Sequence, residues 1–206
     1  MIFLWWGFLT TGINLKKKDM LNDVAICSTA LLLLGADEIT SFNDETRESK
    51  LCNAIYELTV RTCLADRNWA FAQNAIQLNK LVSVPLIQTY STAFQLPKDF
   101  IRLVGKDNVG LPHVIKENYL YCNAEEIKVY YVFRPTEDKF PAYFTQYLID
   151  CLCKKLAIAL MEDESKAEYY DKQAFISRKK AGLIESQSHG DTAMPVHQFA
   201  IYAIRS

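Results

Sequence analysis

The sequence predicts an α+β fold, mainly α: a helical bundle of about five helices with a small antiparallel β-sheet inserted between the N-terminal and C-terminal helices. Three observations carry that expectation. Only 7 Gly and 6 Pro punctuate 206 residues, which favours long helices over a many-turned sandwich. Apolar residues recur at spacings of three and four on both sides of the chain's centre. Between them, from Phe94 to Phe133, the period changes to alternation with β-branched and aromatic residues.

The elements follow in order. Asn22 and Asp23 are N-cap residues for a helix over 22–34, and Gly35 is its C-terminal cap. Val24 to Leu34 is apolar almost all round, so this helix must be buried inside the domain or against a neighbour. Ser41 to Asp44 offers caps for a helix over 44–65, with Glu45 and Glu48 in its first turn, where the dipole favours acids. Leu51, Cys52, Ile55, Leu58, Thr59 and Cys63 form its apolar stripe. Asp66-Arg67-Asn68 marks a break, and 69–81 reads as a third helix that packs Trp69, Phe71, Ala72, Ala75 and Leu78.

Pro85 and the stretch from Gln88 to Ala93 read as a loop, and the sheet occupies about 94–133. Four short strands separated by turns near Asn108–Gly110, Glu117-Asn118 and Asn123–Glu125 account for it. In the last strand Ile127, Val129, Tyr131 and Phe133 share one face while Lys128, Tyr130 and Val132 share the other, so both faces are candidates for cover. Pro141 suits the first turn of a helix over 141–161, and Glu162 to Ser165 caps another over 165–184. The periodicity stops at Ser186. The chain therefore divides into residues 1–19, an apolar and basic extension; 20–186, the folded domain; and 187–206, a tail.

Both ends are unusual. The run Met1 to Leu9 is strongly apolar and is followed by Lys16, Lys17 and Lys18. It is roughly half the length a membrane-spanning helix needs. The order of charge and apolar residues is also wrong for a signal peptide. A gene start set too early, with Met20 the initiator, and an anchor that docks on a partner both remain open, beside a membrane role. The tail carries Met194, Val196, Phe199, Ile201, Tyr202 and Ile204 where a free tail would be polar, which marks those residues as a partner-binding segment.

With 23 basic and 24 acidic residues the chain is near neutral, a poor match for tight nonspecific nucleic-acid binding, which needs clustered Lys and Arg. The cysteines Cys27, Cys52, Cys63, Cys122, Cys151 and Cys153 are irregularly spaced and lack a Cys-x-x-Cys partner set, which reads as reduced structural thiols. No phosphate loop, dinucleotide fingerprint, nucleophile elbow or His-Glu-x-x-His helix occurs. His113, expected in a loop, and His189 and His197 in the tail have no local carboxylate or thiol partner, and acidic pairs fall at turns and helix starts. No catalytic, cofactor-binding or metal-ligating residue is assigned, no cofactor is expected, and the chain is read as a non-enzyme. Arg178-Lys179-Lys180 is the densest basic cluster of the domain. It suits a helix C-terminus, and the second reading is a DNA-channel lining.

Leu31 to Gly35 followed by Ile39-Thr-Ser41, then Asp66 to Ala72 with its Trp-x-Phe-Ala order, then Phe94-Gln-Leu-Pro-Lys-Asp99, Val129 to Val132, Phe140 to Phe144 and Leu152 to Leu160 occur in one order. That order resembles the head-to-tail adaptor family of short-tailed bacteriophages, the tail tubular A proteins, over about residues 21–185. Asp66-Arg-Asn departs from the family's usual lead-in to the tryptophan, and both termini lie outside the pattern. The resemblance marks Gly35, Trp69, Phe71, Leu96, Pro97 and Asp99 as structural motif residues. It implies a virion protein at the head–tail junction, assembled in the host cytoplasm into a self-associated ring, twelvefold in such phages. The ring connects the portal protein to the tail nozzle protein, extends the DNA channel, helps retain packaged DNA and allows its ejection, with double-stranded DNA passing through unbound and no membrane involved. The competing expectation is a cytoplasmic helical nucleic-acid-binding or regulatory module. Excess apolar surface without reactive chemistry favours assembly over either enzyme or regulator.

Overall fold

The computed structural model describes residues 22–82, 87 and 89–188, so the extension 1–19 and the tail residues Met194, Val196, Phe199, Ile201, Tyr202 and Ile204 lie outside the described residues. Helices α1 (Asp23–Leu34), α2 (Arg47–Ala65), α3 (Ala142–Met161) and α4 (Glu164–Ser188) bracket seven strands. These are β1 (Gln73–Gln77), β2 (Asn79–Lys80), β3 (Thr92–Gln95), β4 (Phe100–Lys106), β5 (His113–Lys116), β6 (Tyr119–Cys122) and β7 (Lys128–Phe133). The class is mixed α and β with antiparallel sheets, as expected. The bundle has four helices among the described residues, not five.

The missing helix is 69–81. Trp69 leads into a single turn of 3-10 helix, Ala70–Ala72, and the chain then extends as β1 and β2. Register explains the outcome: Gln73 to Gln77 lie opposite Val132 to Lys128, filling the open edge of β7. Spacing of Trp69, Ala72 and Leu78 imitates a helical stripe, but strand pairing outweighs weak local propensity. Ile76, which a core-facing helix would cover, is 40% exposed.

The strands form two sheets, β1-β7-β4 and β2-β3-β6-β5. Thr92 and Ala93, expected in a loop, belong to β3, where they pair with Cys122 and Tyr121. His113 opens β5 opposite Cys122 and does not lie in a loop. Ile127 and, on β7, Val129 and Tyr131 pack with Leu78, Phe94, Leu96 and Leu120 in a core between the sheets. Val132, on the other face of β7, joins the helical core. The strand is thus covered on both sides.

Helix ends obey their caps. The Asn22 side chain accepts the Ala25 amide at 2.7 Å, and Gly35 at φ 81° receives the reversal that an L side chain would resist. For α2 the cap is Thr46, not a residue of 41–44; its hydroxyl accepts Ser49 N–H at 3.2 Å. Asp44 instead ties the preceding turn by accepting from the Thr40 and Ser41 amides, which holds its carboxyl below the usual range. The buried face of α2 also sits slightly off the expected stripe: Tyr56 and Val60 are inside, while Leu58 is 64% exposed. Asp163 caps α4 by accepting Lys166 N–H at 2.9 Å, so Glu162, at φ 54°, ends α3.

α3 is the hub. It runs antiparallel to α4 and to α2, and its Leu148, Leu152 and Leu156 are fully buried. Cys153 Sγ reaches the Ala30 carbonyl of α1 at 3.5 Å, and Lys155 Nζ donates to Thr59 Oγ1 of α2 at 2.9 Å. Arg134, just after β7, bridges Glu57 of α2 at 3.1 Å and Glu137 at 2.5 Å, which joins sheet to bundle. All six cysteines are free thiols, matching their reading as small core hydrophobes.

Candidate assembly surface

The motif residues fall into packing roles. Trp69 is fully buried and its Nε1–H donates to the Cys63 carbonyl at 2.8 Å, so the indole closes an otherwise open carbonyl at the end of α2. Phe71 is half-buried in an aromatic cluster, with ring centroids 4.9 Å from Phe144 and 6.2 Å from Phe140. Leu96 is buried between the sheets, Pro97 accepts the Phe100 amide at 3.1 Å, and the Asp99 carbonyl accepts the Arg134 amide at 3.0 Å. Gly35 is the α1 cap. Asp99 Oδ1 also accepts from Tyr131 Oη at 3.4 Å, and among the described residues no group of three potential metal ligands occurs.

The side chains left open are more informative. α4 faces α3 with Ala167, Ala174 and Ala181, spaced by seven residues and at most 7% exposed. Small residues at that period let two helix backbones approach closely. Tyr169, Ile176 and Leu183, also seven apart, are 56%, 41% and 64% exposed. At 100° per residue they project roughly opposite the alanine stripe. The two series are offset by two residues along α4, one of small side chains and one of large.

The basic cluster splits along the same geometry. Arg178 turns toward the bundle and forms an ion pair with Asp66, whose carboxylate also accepts from Tyr147 Oη at 3.0 Å. Burial, with the neighbouring Cys63, Cys151 and Asp66, drives the Tyr147 hydroxyl pKa upward. Lys179 and Lys180 are exposed on the outer side, with Lys179 Nζ 4.3 Å from the Phe175 ring centroid. Because α4 continues to Ser188, the cluster is in mid-helix and does not complement a helix C-terminus.

Between α2 and α4, with α3 as its floor, runs a cleft of about 780 Å³ lined by Cys63, Tyr147, Cys151, Phe175, Ile176 and Arg178, among others. Two of its four lining cations are ion-paired, Lys154 with Asp171 at 2.6 Å and Arg178 with Asp66, while Lys155 donates to Thr59 and Lys172 is exposed. Cys63 and Cys151 share a hydrogen bond that lowers the Cys151 thiol pKa and, with burial, raises that of Cys63. The Asp150 carboxyl, buried beside Ser177 and Gln146, is shifted upward by desolvation. Cys63, Cys151, Tyr147, Asp66 and Arg178 adjoin one another along one stretch of the cleft wall, whereas Asp150 is not part of the lining.

α1 supplies a second open patch. Leu31 and Leu34 are buried, as a fully apolar helix requires, but Leu32 and Leu33 are 58% and 51% exposed. No described helix is long and apolar enough to cross a membrane. No protein-family model matches the chain, and no curated protein matches it.

Proposed function

We propose that this protein is a structural subunit that works by assembling with copies of itself and with larger partners, as the head-to-tail adaptors it resembles do. One observation carries the reading: the outer face of α4 presents Tyr169, Ile176 and Leu183 in a row, at 41% exposure or more, on a helix whose inner face is already packed. Regularly spaced large apolar side chains on a rigid helix make a surface suited to burial by another chain. Leu32 and Leu33 on α1 add apolar surface beside the N-terminal half of α4, where the Tyr170 hydroxyl donates to the Leu33 carbonyl at 3.1 Å. Two distinct patches on one subunit suit head-to-tail contacts, which close into rings when the rotation permits.

In this reading the ring sits between a portal protein and a tail nozzle protein and continues the DNA channel, and residues 194–204 of the tail engage one of those partners. A chain of 23 basic and 24 acidic residues is compatible with duplex sliding past without being gripped. The test is electron microscopy of the purified chain mixed with cognate portal rings. Stacked rings are expected; persistent separation of the two proteins refutes the adaptor role. The nucleic-acid-binding module predicts instead a DNA affinity that falls steeply with salt, measurable by fluorescence anisotropy.

A further inference from the structure

The outer seam of α4 is basic as well as apolar. Tyr169, Lys172, Ile176, Lys179, Lys180 and Leu183 fall within an arc of about 100° on an α-helix. All three of these lysines are exposed, while the α4 carboxylates Glu164, Glu168, Asp171 and Glu185 project outside the arc. The segment 22–46 is acidic in its own residues, although Lys166 of α4 reaches the Leu34 carbonyl at its α1 end at 3.3 Å. It holds Asp23, Asp37, Glu38, Asp44 and Glu45 and no lysine or arginine. Within it, exposed Leu32 and Leu33 are followed, directly after the Gly35 cap, by exposed Asp37 and Glu38.

We infer that the occupant of the α4 seam is a second copy of this chain, presenting its α1 patch: Leu32 and Leu33 against Ile176 and its apolar neighbours, Asp37 and Glu38 against Lys179 and Lys180. The inference rests on the assembly reading and specifies its contact. Complementary charge is what selects this pairing. Two α4 seams placed face to face would set lysine against lysine, and two α1 patches would set carboxylate against carboxylate, arrangements that repel when desolvated. Only the unlike pair matches apolar to apolar and positive to negative. Because the two surfaces differ, the contact is heterologous: each subunit keeps one free face after pairing, so growth continues until a ring closes.

The experiment is charge reversal with rescue, read by sedimentation velocity under conditions in which the wild type assembles, alone or seeded by portal rings. K179E/K180E and D37K/E38K are both confined to exposed side chains, so circular dichroism should show the wild-type fold. Each variant alone should weaken assembly by at least about tenfold. Mixing the two variants, or combining all four substitutions in one chain, should restore it, because reversed faces again match. Assembly unaffected by either pair overturns the inference while leaving the assembly reading intact, as does loss without rescue. Loss on removing residues 189–206, with both charge variants unaffected, assigns the seam to the tail and likewise overturns it. A wild type that stays monomeric even with portal rings refutes the assembly reading itself.

Discussion

Replacing Trp69 tests how the fold turns from helix to sheet. The indole is fully buried and touches Phe71, Tyr143, Phe144 and Tyr147, with centroid separations from 5.4 Å to 6.4 Å. Truncation to alanine removes that area and leaves a cavity at the junction of α2, β1 and α3, a change that costs about 3–5 kcal/mol. Its N–H also satisfies the Cys63 carbonyl. Trp69→Phe keeps most of the aromatic contact and forfeits only that bond, for a cost of about 1–3 kcal/mol if the carbonyl stays dry. Against a total stability of about 5–15 kcal/mol for a domain, the first loss is severe and the second moderate. Urea unfolding followed by far-ultraviolet circular dichroism should therefore rank wild type above Trp69→Phe above Trp69→Ala. If both variants unfold within about 0.5 kcal/mol of wild type, as ordinary surface changes do, the indole is not the anchor of this corner.

Other consequences can be checked in the same preparation. Ala174→Leu forces extra carbons into the close α3–α4 contact and should cost about 1–3 kcal/mol by urea unfolding; a neutral result would mean the helices are not closely apposed there. Asp150→Asn should raise stability at neutral pH. Burial lifts the Asp150 pKa in the folded state above its ordinary value, so this carboxyl favours folding only when protonated and opposes it as pH rises past its folded pKa. The advantage of the asparagine should shrink as pH falls from the raised folded pKa towards the ordinary carboxylate value of about 4 and vanish below it, and a pH-independent difference would contradict this cause. Cys151, half-exposed and with its thiol pKa lowered by the Cys63 hydrogen bond, should be the first described cysteine alkylated by iodoacetamide in peptide mapping; earlier labelling of Cys63 would reverse that assignment.

What was legible in the sequence was whatever local chemistry decides. Asn22 and Gly35 bound α1 because a side-chain acceptor and a residue free to take positive φ do so wherever they stand. The spacing of apolar residues by three and four marked the α3 region as helical for the same kind of reason, and its Phe144, Leu148, Leu152 and Leu156 are fully buried. Residues 73–80 were not legible, because Gln73 to Gln77 become a strand only when β7 is beside them, some fifty residues further on. The candidate surface was half legible. Excess apolar residues pointed to assembly, but the inward alanines of α4 needed the partner helix to show that Tyr169, Ile176 and Leu183 face away from it.

The most direct test of the assembly claim is sedimentation velocity of wild-type protein beside Ile176→Asp, a substitution at a side chain 41% exposed in the middle of the α4 seam. With portal rings present as seeds, wild type should sediment as an assembly and Ile176→Asp as a folded monomer. Identical sedimentation of the two in the presence of portal rings, whether both monomeric or both assembled, would contradict the account.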